Sequence, residues 1–421
     1  MTDRIQVVVR IRPMQGQERR NGDEVVAKPV PGAKEVQLKV GPMDAQLFPC
    51  RFCFGRETSQ EAFFDDSGIV ELLDMALTGQ KACAFAFGQT GAGKTYTMIG
   101  ANTKVVSATD ANSGMLGRSI AYLFDKLKDQ EFSIRLACYE IYHEAVYDLL
   151  CDGKEGRNTT LPIRENAEGG FCVPDITTYE CLSVKSAFKT VTTAIKARRV
   201  GSHDLNSRSN RSHCVTEIHI DVRGGGSTTT SRRKGMMTLV DLAGSERLKS
   251  TNSKGKVLQE AGFINKSLYT LGKVIAGLVR TGGDLTSKDV PYRDSKLTRL
   301  LIGSLGAGSR TLLVASISEA SSSHAETTRT LKFSMSAARL SVKPIRFLSD
   351  QEKLVEDLRK QVKKLRTENK RLKKTIKSGT GTGSLADMSV TGEETTAGQI
   401  IDDSGSTQGY SLSFSKTDTN Q

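Results

Sequence analysis

Hydrophobic positions fall into three regimes along the chain. Up to about residue 345, short β-branched runs alternate with stretches of helical period, a pattern that predicts an α/β core. Ile5 to Ile11 reads as a Val-rich strand, Ala82 to Phe87 as a short buried strand, and Met236 to Leu242 as an apolar strand ending near Asp241. A second regime follows. Leu358, Leu365 and Leu372 recur every seven residues, with Leu348, Val355, Val362, Asn369 and Ile376 at the same interval on the adjoining seam. These are the d and a positions of a coiled coil, and Asn369, the polar a residue, favours a parallel, in-register dimer. The basic e positions Arg359, Arg366 and Lys373 weaken that seam by like-charge repulsion. The third regime, residues 378–421, is mostly Gly, Ser and Thr, too poor in apolar surface to fold alone, and is expected to be disordered.

Charge sharpens this division. The net +13 separates into +11 for residues 1–350, +7 for 351–377 and −5 for 378–421. The body is basic in its own right, which suits a polyanionic partner: nucleic acid, anionic membrane or acidic protein. With no Trp and 6% aromatic residues, a reader that stacks bases on aromatic platforms has little to work with. No uninterrupted apolar run approaches 18 residues and the N-terminus is not apolar, which argues against a membrane span and a secretory signal. Cys50 and Cys53 form one C-x-x-C with no completing ligands at zinc spacing. Cys83, Cys138, Cys172 and Cys214 are expected to be buried small hydrophobes, in a reducing compartment such as cytosol or nucleus.

The apolar run at 82–87 enters Gly88-Gln89-Thr90-Gly91-Ala92-Gly93-Lys94-Thr95, a full G-x-x-x-x-G-K-T. Its glycines let backbone N–H groups curl around a phosphate chain, Lys94 reaches the terminal phosphates, and the Thr95 hydroxyl can hold Mg²⁺. Asp241, at the end of a second strand, is placed to hold Mg²⁺ through water. Gly244 follows in Asp241-Leu242-Ala243-Gly244-Ser245-Glu246 and can bring its N–H to a γ-phosphate, having no side chain in the way.

Taken together, these residues resemble the kinesin motor domain over about residues 4–345. Arg10-Ile11-Arg12-Pro13 is similar to the family's adenine-side R-x-R-P, and Phe87 through Met98 to its P-loop, where Tyr96 lies against adenine. Tyr139–Leu150 resembles a family strand and the segment after it. Asn206–His213 resembles switch I, Asp241–Glu246 matches switch II, and Ile264–Leu268 with Leu271 and Gly272 resembles the start of the relay helix. Val290–Leu301 resembles the microtubule-contacting loop and helix, and Thr330–Arg339 the last motor helix.

The resemblance implies a P-loop NTPase fold, with a central mixed, mostly parallel β-sheet flanked by helices. A motor domain over 1–339 is expected, a neck linker over 340–347, a neck coiled coil over 348–377 and a tail over 378–421. It implies ATP and Mg²⁺ as cofactors. Nucleotide contacts fall on Arg10, Arg12, Pro13, Gln89, Thr90, Gly91, Ala92, Gly93, Lys94, Thr95, Tyr96, Asn206 and Ser212. Metal ligation falls on Thr95, Asn210 and Asp241; catalysis on Glu246, Arg211, Ser209 and Gly244, with an Arg211–Glu246 ion pair closing the pocket and Glu246 accepting a proton through a second water. Lys249, Lys254, Lys256, Arg293, Lys296 and Arg299 are the residues expected to meet the acidic surface of the microtubule. The expectation is a plus-end-directed microtubule motor, a homodimer through 348–377, on the cytoplasmic cytoskeleton. A nucleotide-regulated microtubule binder that moves poorly is the alternative. A P-loop ATPase acting on nucleic acid stands third, since no base-reading module is recognisable. Two departures stand out: Asn210 occupies the second Ser of the family's N-x-x-S-S-R-S-H, a Mg²⁺ ligand, and Gly117 replaces a Pro common in the turn G-I-I-P-R.

Overall fold

The computed structural model describes residues 3–32, 34–41, 43–101, 110–166, 170–200, 211–223, 232–246, 256–305, 307–344 and 350–377. Two compact units divide the chain, Met1–Leu354 and Val355–Gln421. The first opens with β1 (Asp3–Arg4), β2 (Gln6–Arg12), α1 (Gly16–Arg20) and a small sheet of β3 (Ala27–Pro29), β4 (Glu35–Lys39) and β5 (Ala45–Pro49). Next come β6 (Phe52–Phe54), α2 (Gln60–Asp66), α3 (Ile69–Leu77), β7 (Lys81–Phe87), α4 (Lys94–Met98) and α5 (Met115–Leu127). β8 (Glu131–Tyr142) and β9 (Ala145–Asp148) make a hairpin, followed by α6 (Gly153–Asn158) and the short strands β10 (Thr160–Leu161), β11 (Arg164–Glu165), β12 (Phe171–Cys172) and β13 (Thr178–Cys181). The unit continues through α7 (Val184–Val200), β14 (His213–Arg223), β15 (Arg232–Asp241), α8 (Lys256–Arg280), α9 (Lys296–Leu305), β16 (Ala307–Ser318), α10 (His324–Ala338) and β17 (Ser341–Pro344).

The central sheet runs β6–β2–β16–β7–β15–β14–β8. It is parallel from β6 to β15 and antiparallel beyond, so the mixed α/β architecture expected from the sequence is present. Period-two alternation on β7 explains why both faces are covered. Ala82, Ala84 and Ala86 pack with Leu72, Ile120 and Val191 of α3, α5 and α7. Cys83, Phe85 and Phe87 pack on the other face with Leu271, Leu301 and Ala337 of α8, α9 and α10. The P-loop leaves the carboxyl end of β7, flanked by parallel neighbours on both sides, the crevice where open α/β sheets bind ligands.

Three sequence expectations need correction or refinement. Cys83, Cys138 and Cys214 are buried, but Cys172 is exposed, because its strand β12 pairs only with β11 in a two-stranded ribbon. Ile264–Leu268 lies inside α8 rather than opening it, since the helix already begins at Lys256. Residues 341–344 form a strand, antiparallel to β1 and parallel to the start of β16, and Ile5 N–H donates to Leu340 O at 3.1 Å.

The described part of the second unit belongs to α11 (Asp350–Lys377). Leu358, Val362, Leu365 and Leu372 are all exposed, as is Asn369, so over residues 358–372 the seam read from the heptads lies on the helix surface, apolar except at Asn369. Leu348 and residues 378–421 lie outside the described residues.

Candidate nucleotide site

Parallel pairing of β7 with β15 sets Asp241 opposite Ala86, so the two carboxyl ends meet and the P-loop faces the segment after β15. The loop is shaped by glycine where no other residue fits. A Cβ on Gly88 would lie 2.1 Å from Ser316 O, and Gly91 and Gly93 adopt φ of 76° and 98°. Lys94 and Thr95 then fall in the first turn of α4, at the helix end whose free N–H groups favour an anion.

Four charged side chains converge here. Lys94 is buried and folds back so that Nζ donates to Gln89 O at 2.8 Å. Burial lowers its pKa to about 8, Arg198 adding to the depression, while Asp241 and Glu246 pull in the opposite direction. Thr95 Oγ1 donates to Asp241 Oδ2 at 2.8 Å. Glu246 accepts from Thr90 N–H at 2.7 Å and from the Thr90 hydroxyl at 2.5 Å. Within the described residues its hydrogen-bond partner is therefore Thr90 rather than Arg211. Gly244 is as tightly held: a Cβ there would sit 2.2 Å from Thr90 Oγ1 and 2.3 Å from Glu246 Oε2.

Arg198, which the sequence reading missed, is the fourth charge. It lies on α7 and is 3% exposed; Nη1 donates to Asp241 Oδ2 at 2.8 Å, Nε to Ser212 Oγ at 3.3 Å and Nη2 to Ser212 O at 2.9 Å. Ser212 is thus buried beneath the site, serving Arg198 as an acceptor. In sequence Arg198 is one basic residue among several near the end of a helix, and only the packing of α7 against the sheet marks it out.

Mg²⁺ fits the residues present. Asp241 Oδ1 is buried with no hydrogen-bond partner, and the Thr95 hydroxyl is bonded to the same carboxylate, so two hard oxygen donors stand together. A cation that keeps most of its shell as water and phosphate needs no larger protein cluster. Asn206, Ser209 and Asn210 lie outside the described residues.

Where the resemblance leads one to expect adenine, the two arginines take different roles. Arg10 is buried, donating from Nη1 to Gln60 Oε1 at 2.7 Å and Thr97 Oγ1 at 3.2 Å, and its guanidinium carbon lies 5.1 Å from the Tyr96 ring centroid and 4.4 Å from that of Phe63. It supports Tyr96 from below. Arg12 sits at the rim, donating from Nε to Gly91 O and pairing with Glu18 at 2.6 Å; its Nη1 also donates to Pro13 O at 2.9 Å. Ala92 is buried, and Gln89 Nε2 donates to Ser323 Oγ at 2.8 Å, tying the loop to the turn before α10.

This site and fold match known proteins over most of the chain. The family model for the kinesin motor domain matches residues 10–340. The chain belongs to the kinesin motor domain family. Mouse chromosome-associated kinesin KIF4 is 38% identical over 344 residues, 81% of this chain and 27% of that protein. Kinesin-like protein KIN-12D of Arabidopsis thaliana is 36% identical over 351 residues, 80% of this chain and 12% of that protein. The chain therefore spans well under half the length of these relatives. A solved structure described as that of a fast kinesin, with implications for ATPase mechanism and interactions with microtubules, superposes with a TM-score of 0.72 at 34% identity, covering 81% of this chain and 93% of the other.

The basic residues expected at the filament are unevenly placed within this kinesin fold. Lys249 and Lys254 lie outside the described residues, as does the side chain of Lys256 at the start of α8. Arg293 is exposed and pairs with Glu165 at 3.2 Å; Lys296 and Arg299 are half-buried, and Arg299 donates from Nη2 to Arg293 O at 2.8 Å. The start of α9 is held by Glu144, whose carboxylate accepts from Ser295 Oγ and from Lys296 N–H, both at 2.7 Å. Glu144 and His143 carry φ of 56° and 50° in the β8–β9 turn, a conformation uncommon outside glycine that is overdetermined here by the helix-capping contact.

Proposed function

We propose that the chain is an ATP-driven microtubule motor. The observation that carries this reading is the convergence of Lys94, Thr95, Asp241, Gly244 and Glu246 at the ends of two parallel strands. Lys94 and the P-loop N–H groups would bind the ATP phosphates, so that hydrolysis rests on positioning and charge stabilisation. Thr95, Asp241 and Asn210 would hold Mg²⁺, which when bound neutralises phosphate charge. Gly244 N–H would face the γ-phosphate, and Ser209 would support the same loop. Glu246 would leave Thr90 for Arg211, and in that pairing accept a proton from the attacking water through a second water. Arg12, Pro13 and Tyr96 would hold the adenine.

Filament binding is assigned to Arg293, Lys296 and Arg299 with Lys249, Lys254 and Lys256, charge contacts that weaken with salt. Residues 340–347 would act as the neck linker, with movement toward the plus end. The apolar stripe of α11 supports a parallel homodimer through 348–377, on the cytoplasmic cytoskeleton.

Steady-state ATPase with and without microtubules tests the reading. Stimulation together with filament gliding is expected, and no stimulation would sink it. Asn210 favours a second reading, a nucleotide-regulated microtubule binder with weak motility, because an amide replaces a hydroxyl where Mg²⁺ demands near-octahedral geometry. Stimulation without gliding selects that reading. Asn210→Ser should raise turnover or tighten Mg²⁺ binding; an unchanged enzyme shows that the replacement is harmless.

A further inference from the structure

His213, the first residue of β14, is 2% exposed and touches two other elements through its ring nitrogens. Ala243 N–H donates to Nδ1 at 3.0 Å, and Nε2 lies 2.8 Å from Ser267 Oγ on α8. The first contact decides the tautomer. Nδ1 accepts, so the single ring hydrogen is on Nε2 and is donated to Ser267. Burial, with Arg198 and Lys94 nearby, lowers the imidazole pKa to about 3, consistent with a neutral ring.

An imidazole has no torsion between its two nitrogens. Displacement of the backbone at Ala243 therefore moves or breaks the bond to Ser267 instead of being absorbed by a flexible side chain. Ala243 precedes Gly244, whose backbone packs against Thr90 and Glu246, and Ser267 lies in the interior of a 25-residue helix. Ser212, the neighbour of His213, is held by Arg198, which anchors the ring's own backbone to the Asp241 side of the site.

We propose that His213 is a positioning residue that couples the segment after β15 to α8 through these two hydrogen bonds, so that the state of the nucleotide site sets the position of the helix. This inference rests on the motor reading above.

The test uses the full chain and compares the parent with Ser267→Ala, His213→Asn and the double variant. Asn places an acceptor near the position of Nδ1 but cannot reach Ser267, so both single changes cut the same arm. Ser267→Ala leaves the Nε2 hydrogen buried without its acceptor and should lower the melting temperature by a few degrees, yet keep the basal ATPase at the temperature of the assay while microtubule-stimulated kcat falls about fivefold, the scale of one buried hydrogen bond. The microtubule concentration for half-stimulation should stay unchanged. The double variant should lose no more than His213→Asn alone, as expected for two partners of one contact. Should His213→Asn fail to fold, Ser267→Ala still decides. An unaltered stimulated kcat in Ser267→Ala, equal loss of basal and stimulated rates, or losses that multiply would each overturn the coupling. A parent that microtubules do not stimulate overturns the motor reading and this role with it; a stimulated parent with an unaffected Ser267→Ala overturns the role of His213 alone.

Discussion

The two charged regions of the body are built on opposite plans. At the carboxyl ends of β7 and β15, Lys94, Asp241 and Arg198 are each at most 7% exposed and bonded to one another or to the loop. Around α9, Arg293 is exposed and its ion pair with Glu165 is solvated. Buried charges without partners are costly, so each residue of the first region depends on the others. Exposed pairs contribute little individually, and the second region can change one residue at a time. The first is suited to holding a small, dense anion, the second to summing many weak contacts over a wide surface.

This contrast can be broken at its strongest point first. Lys94→Ala should reduce phosphate release by about a thousandfold, since charge stabilisation carries much of phosphoryl transfer. Activity near that of the parent would mean that Lys94 is not the phosphate ligand. Gly244→Ala introduces a Cβ 2.2 Å from Thr90 Oγ1 and should lower turnover about a hundredfold. Arg198→Ala leaves Asp241 buried beside Thr95 without its cation and should destabilise the fold by about 3 kcal/mol in urea unfolding. A stability equal to the parent's would show the pair to be dispensable.

A pH series sharpens the comparison without mutation. With its pKa lowered to about 8 by burial, Lys94 in the free protein loses its charge as pH rises through that value, whereas bound phosphates would keep it charged. Affinity for a fluorescent ADP should therefore fall about tenfold from pH 7 to 9, and a flat profile would contradict the assignment. The smallest effect belongs to the exposed region. Arg293→Ala should weaken microtubule co-sedimentation by about threefold at low salt, a difference that closes as ionic strength rises, with unfolding stability altered by less than about 0.5 kcal/mol.

Much of the site was legible in the sequence because its chemistry is local. The P-loop needs glycines, Lys and Thr within eight consecutive residues, and the backbone of that segment supplies most of the cradle. The heptads of α11 are legible for the same reason, a fixed period on one helix. Arg198, Gln60, Glu144 and His213 were not, although each bonds to a group at the nucleotide site or at the start of α9. Their partners lie 14 to 152 positions away, and although His213 and Glu144 fall inside segments that resemble family motifs, nothing in the spacing of those segments assigns them these contacts.

By itself, then, the sequence determined the α/β alternation, the glycine-rich loop after β7, the acidic residue at the end of β15 and the amphipathic helix α11. Each follows from periodicity or from a contiguous motif. Only the tertiary structure decided which charges are buried together, that Arg10 supports Tyr96 while Arg12 stays at the rim, and that one imidazole joins three elements. Those outcomes depend on desolvation and on pairing between strands and helices distant in the chain, quantities that exist only once the sheet has closed.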